Sequence, residues 1–176
     1  MVESVSPCRW SQYPADGGRR RQQLREAAAR LLAEYVDAVA SALRAEGLSV
    51  ADVRIRPGSD LGAELTLVPA DPLRDGVPGR VELAWAEDTG WCLSHHLLGP
   101  EAAPWRYLHI ELAPSPETVA RFVAATLYDR EDVGMLYPER FRFRGQPIQP
   151  VIDALARQAR LAHPAGDNPG SPAIDA

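Results

Sequence analysis

Lysine is absent from this chain of 176 residues; all 19 basic residues are arginine. That absence excludes a Schiff-base lysine, a P-loop lysine and a kinase-type strand lysine. With many Ala, Gly and Pro residues alongside, the bias reads as GC-rich coding rather than as a site. Cysteine is scarce too. Cys8 lies in a polar, proline-containing stretch and Cys92 in an expected strand, so the two make no disulfide framework. A reducing cytosol is the simpler setting. No stretch approaches the roughly 18 apolar residues of a membrane span, and the N-terminus lacks the apolar core of a signal peptide. The expected location is cytoplasmic, with no membrane partner. Gly-x-Gly-x-x-Gly, Gly-x-Ser-x-Gly, His-Glu-x-x-His and paired Cys-x-x-Cys are all missing, and the acidic residues stand singly. No cofactor is implied.

What is present describes an ordinary globular chain. Hydrophobic residues make up 45% and charged residues 24%, which is enough for a core without a metal or disulfide staple. A formal net charge of −5 argues against nucleic acid or anionic membrane as the main partner, since both require clustered positive charge. Residues 1–18 and 164–176 are rich in Ser, Pro, Gly and Asp without apolar period and are expected to be disordered. A single domain is expected over 19–163.

Arg20 to Glu46 carries a helical stripe through Leu24, Ala28, Leu31, Tyr35 and Ala42, flanked by Leu32, Val36, Val39 and Leu43, with Gly47 as its stop. Arg19, Arg20 and Arg21 oppose the dipole at its start. Strands follow at Val50–Arg56, with Val53 and Ile55 on one face, and at Leu61–Val68, which groups Leu61, Ala63, Leu65 and Leu67. Residues 69–79 read as a loop. A hairpin follows over 80–97, closed by Asp88-Thr89-Gly90, in which Gly90 takes positive φ. That turn pairs Glu87 with Trp91, Trp85 with Leu93, Leu83 with His95 and Val81 with Leu97. A further strand is expected over Arg106–Leu112, turning Leu108, Ile110 and Leu112 inward. Ser115-Pro116-Glu117 starts a helix by N-cap, first-turn proline and acid. Its buried stripe is Val119, Phe122, Val123, Thr126 and Leu127. Gln146–Pro150 reads as a linker to a last helix near Val151–Leu161. The fold class is therefore α+β: an antiparallel sheet of about five strands packed against the N-terminal and post-sheet helices.

The outward face of the hairpin holds Glu82, Ala84 and Ala86 beside Cys92, Ser94 and His96. Parity would add Tyr107, His109 and Glu111 to it. Cys, His and carboxylate are metal-ligand types, and His serves as a general base, so His96, His109 and Glu111 form a candidate cluster. The plainer reading is cross-strand pairing such as Glu82 with His96, and a neutral His95 at the sheet edge. The face is small and weakly polar around Ala84 and Ser94, which implies that the C-terminal section or another subunit covers it. Trp85 points inward, Trp91 beside the turn belongs either to the core rim or to the surface, and Trp105 in its loop is the better candidate for an exposed contact. Arg140, Arg142 and Arg144 alternate with Phe141 and Phe143. Extended, that strip could bind phosphate or an acidic partner, and its plainer reading is an edge strand protected by outward charge.

The run Val81-Glu-Leu-Ala-Trp-Ala-Glu-Asp-Thr-Gly-Trp91, the run Leu112-Ala-Pro-Ser-Pro-Glu-Thr-Val-Ala-Arg-Phe-Val123 and the early helix Tyr35–Leu43 resemble an actinobacterial family known only as domain-of-unknown-function family 6292. The resemblance covers about residues 30–130 and rests on structural motifs: an inward Trp, an acidic-Gly turn, a second Trp and a Pro-capped helix. It implies a bacterial cytoplasmic origin and carries over no activity and no functional residue. The Arg/Phe strip and the last helix lie outside it. The first expectation is a non-catalytic protein-interaction or regulatory module that binds a protein partner or forms a homo-oligomer. It would use the weakly polar sheet face, or Trp105 and the Arg140, Arg142 and Arg144 strip. The second is a small-molecule or metal-binding sensor, or a small hydrolase, using His96, His109 and Glu111.

Overall fold

Helix α1 (Asp16–Ala45) opens the computed structural model, which describes residues 16–58, 60–68, 80–96, 106–129, 133–143 and 145–162. Asp16–Gly18 thus form its first turn, ahead of the expected start. The centre of the buried stripe runs through Leu32, Val36, Val39 and Leu43, with Leu24, Leu31 and Ala42 at its margins. Gly47, at φ 81°, ends the helix in a left-handed cap. The Leu48 amide donates to the Leu43 carbonyl and the Gly47 amide to that of Arg44, and the Leu48 side chain folds into the core.

The five strands β1 (Ser49–Arg56), β2 (Gly62–Val68), β3 (Arg80–Ala86), β4 (Gly90–His96) and β5 (Arg106–Tyr107) form one antiparallel meander in sequence order. Alternation is strict on β2: Ala63, Leu65 and Leu67 are buried, and Leu61 just before it joins them. On the edge strand β1, Val53 remains partly in water, as an edge position allows. Helix α2 (Pro116–Ala124) begins as expected, with Ser115 Oγ accepting from the Thr118 amide. It runs into a π-helical turn (Ala125–Asp129), so Thr126 and Leu127 are only partly buried. Helix α3 (Gln149–Ala162) includes the end of the expected linker. Helix α1 contacts β1 and β2 as well as α2 and α3, and the core lies along it.

The hairpin register differs from the expectation. Trp85 pairs with Trp91, Leu83 with Leu93, Val81 with His95 and Ala86 with Gly90, a displacement of two residues. The turn is Glu87-Asp88-Thr89 instead of Asp88-Thr89-Gly90: Gly90 already opens β4 opposite Ala86, and Glu87 stands in the loop with its amide on the Leu61 carbonyl. Because strand side chains alternate with period two, an even displacement leaves every residue on its expected face. Glu82 therefore lies opposite Ser94, not His96. Both indoles are fully buried, which resolves Trp91 to the core.

The expected strand over Arg106–Leu112 ends at Tyr107. Beyond it, Leu108 and Leu112 are buried while Ile110 is 64% exposed, against expectation. The ladder is replaced by side chains. Trp85 Nε1 donates to the Leu112 carbonyl (2.7 Å), Gln158 Nε2 to that of Ala113 (2.8 Å) and the Tyr35 hydroxyl to that of Pro114 (2.6 Å). Trp91 Nε1 donates in turn to the Tyr35 oxygen at 2.9 Å. Three consecutive carbonyls are satisfied from β3, α3 and α1, so this strap is pinned without strand geometry.

Candidate functional site

Glu87 shares the inward parity of Val81, Leu83 and Trp85, and an ionised carboxylate there requires a cation. It has two. Arg142 Nη1 lies 2.6 Å from Oε1, and Arg25 Nη1 lies 3.2 Å from Oε2. Arg25 also donates to the Gly58 carbonyl at 2.8 Å, and Arg142 Nη2 donates to the Gln146 carbonyl, while Arg142 Nε is buried and has no partner among the described residues. The Arg25–Glu87–Arg142 group ties α1, the hairpin and the 140s segment together and carries a net positive charge.

This finding corrects the expected Arg/Phe edge strand. Residues 139–143 form no strand; Arg142 is buried and Phe143 exposed, the reverse of a charged outer edge. Glu87 draws Arg142 inward, and the Phe141 amide donates to the Asp88 carbonyl at 2.7 Å. Arg140 remains exposed. Beside the arginine group opens a cleft of about 400 Å³ lined by Arg56, Asp60, Leu61, Ala86, Glu87, Asp88, Arg140 and Arg142. A broader, more open hollow of about 810 Å³ lies along α1 on the other side of Arg25, next to Pro57 and Gly58. The side chains of Trp105, Arg144 and His96 lie outside the described residues.

His109 and Glu111 have separate partners. His109 Nε2 lies 2.7 Å from Glu139 Oε2, outside hydrogen-bond geometry. Its ring stacks on Phe141 at 5.8 Å. Glu111 instead accepts from Arg157 of α3 at 3.0 Å. Among the described residues no three His, Cys, Asp or Glu side chains are grouped to hold a metal. No described helix is long and apolar enough to cross a membrane.

The outward hairpin face is covered within the chain at Cys92 and Ser94, both buried, and half covered at Ala84 and Ala86. Burial pushes the Cys92 thiol up to about 12, opposed in part by a hydrogen bond with the Ala84 backbone. From an ordinary value near 9, that shift lowers the thiolate fraction at neutral pH by about a thousandfold. With Cys8 replaced by serine, the native protein is expected to react with a disulfide reagent only through local opening. Labelling at the rate of the unfolded chain would contradict this. Burial also raises the phenols of Tyr35 and Tyr107. The unfolded chain therefore loses these protons first as pH rises past the ordinary thiol and phenol values. Stability should be intact below about pH 9 and then fall by up to about 1.4 kcal/mol per pH unit for each of the buried groups Cys92 and Tyr35, with solvent screening Tyr107 to a smaller share. Denaturant melts from pH 8 to 11 check this, and Cys92→Ala should remove the thiol's share.

Sequence reading missed Arg25, Arg56 and Glu87, although a carboxylate at an inward strand position was itself a sign. It also missed Met135, Leu136 and Tyr137, which are exposed on the segment that bridges Tyr107 through Met135. Such residues carry no periodic signal outside a regular element.

No curated protein and no solved structure matches the chain. Residues 35–125 do match a family model, a span that contains Tyr35, both buried indoles, Glu87 and the pinned strap but neither Arg25 nor Arg142. On that match, over half of its length, the chain belongs to the family of unknown function DUF6292.

Proposed function

We propose that this protein is a non-catalytic interaction module that docks a protein partner on an apolar apron beside β5. One observation carries the reading. Ile110, Met135, Leu136, Tyr137, Phe141 and Phe143 are all at least one-third exposed, Tyr137 at 81%. They stand on two irregular segments whose backbones are tied together: the Tyr107 and Met135 amides and carbonyls exchange hydrogen bonds at 2.9 and 3.0 Å. The His109 contacts with Glu139 and Phe141 reinforce the tie.

Single exposed apolar residues are normal, whereas Met and aromatic side chains recurring along two tied segments have the composition of a protein interface. Holding the backbone in place lowers the ordering cost of docking. The setting we assign is the bacterial cytoplasm, in keeping with a free, buried Cys92.

A photo-crosslinking residue at position 137, with one at the exposed Arg44 as control, tests the reading in the source organism. A discrete adduct from position 137 alone is expected, and Met135→Glu should abolish it. Equal labelling from both positions, or none, would remove the proposal. Sedimentation of the purified chain over a hundredfold range of concentration then shows whether the partner is a second copy.

A further inference from the structure

The geometry points to a second site: we infer that the cleft between Arg56, Arg140 and Arg142 binds a compact organic anion bearing one carboxylate or phosphate and hydrogen-bond donors. Three arginines line one concavity, Arg56 from the end of β1 and Arg140 and Arg142 from the 140s segment. Each is differently placed. Arg142 forms a buried floor, held from two sides by Glu87 and the Gln146 carbonyl, so it cannot swing away. Arg56 lies over Gly62, where an added Cβ would come within 3.0 Å of its Nη2, and leans on Glu64 at 3.3 Å. Arg140 is exposed at the rim and has no ion-pair partner among the described residues.

Guanidinium forks match the planar oxygens of carboxylate and phosphate, and a preset fork loses little freedom on binding. The acids in the same wall set the rest of the ligand. Asp60 and Asp88 line the cleft with Glu87, so a polyanion is repelled while hydroxyl or ammonium donors are accepted. A volume of about 400 Å³ suits a molecule of metabolite size, not a polymer.

Titration of the full chain with gluconate, glycerol 3-phosphate and neutral sorbitol, read from the arginine Nε–H signals by NMR, tests this site. Saturable shifts are expected with at least one of the two anions and none with sorbitol, and the anion that saturates identifies carboxylate or phosphate as the recognised group. Arg140→Gln and Arg56→Gln should each weaken binding by about tenfold or more, which is the loss of one charged hydrogen bond. Both residues are exposed, so unchanged melting temperatures should accompany the loss. Absence of saturation by either anion up to about 20 mM, or affinities unaffected by both substitutions, would overturn the proposal. The apron stands or falls separately, because neither variant touches Met135 or Tyr137.

Discussion

Glu87→Ala is expected to cost about 3–5 kcal/mol, because it leaves two arginines facing one another without their counter-charge. Arg142 carries most of that penalty: its side chain is 5% exposed, against 32% for Arg25. The melting temperature should fall by about 6–20 °C for a chain of this size. Arg25→Ala should cost less, since water reaches Arg25. The informative variant is the double replacement Glu87→Leu with Arg142→Met. It removes both buried charges at similar volume and should recover much of the loss that Glu87→Leu alone produces. Urea melts of the single and double variants measure this. A single-variant loss below about 1 kcal/mol would mean that the group is solvated in solution.

Trp85→Ala is the second large effect. The indole is fully buried at the centre of the sheet, and its truncation should cost about 3–5 kcal/mol. Trp85→Phe separates the ring from its N–H. It keeps most of the apolar volume but abandons the Leu112 carbonyl, for an expected cost of about 1–3 kcal/mol. Tyr35→Phe tests the neighbouring pin from the other side, since it strands both the Trp91 N–H and the Pro114 carbonyl. If the strap is held as a unit, the Trp85→Phe and Tyr35→Phe losses will not add. Strict additivity would show that each carbonyl is held independently.

These two results concern features of very different legibility. Trp85 could be placed inward from alternation alone, because period two admits only two faces. Its partner across the hairpin could not, because Trp91 rather than Leu93 follows from which three residues make the turn, and the structure places it at Glu87-Asp88-Thr89. Ser115 was readable as a cap for a local reason: its oxygen serves an amide only three residues away. Ile110 misled for the opposite reason. Its neighbours alternate as a strand does, yet their carbonyls are taken by Trp85, Gln158 and Tyr35, residues 27, 45 and 79 positions distant. Arg142 misled likewise, since an isolated Arg/Phe alternation says nothing of a carboxylate placed 55 positions earlier.

By itself, then, the order of residues determined what acts over one to four positions: helix periods, the cap at Ser115, the stop at Gly47 and the two faces of each strand. It also settled the sheet's antiparallel sense, since short connections leave no room for crossovers. Tertiary structure alone decided which charges were buried together, where the fifth strand gave way to a strap and which aromatic rings were left in water. Those outcomes depend on desolvation and hydrogen-bond pairing between distant segments, and such energies arise only when the chain has brought the partners within a few ångströms of each other.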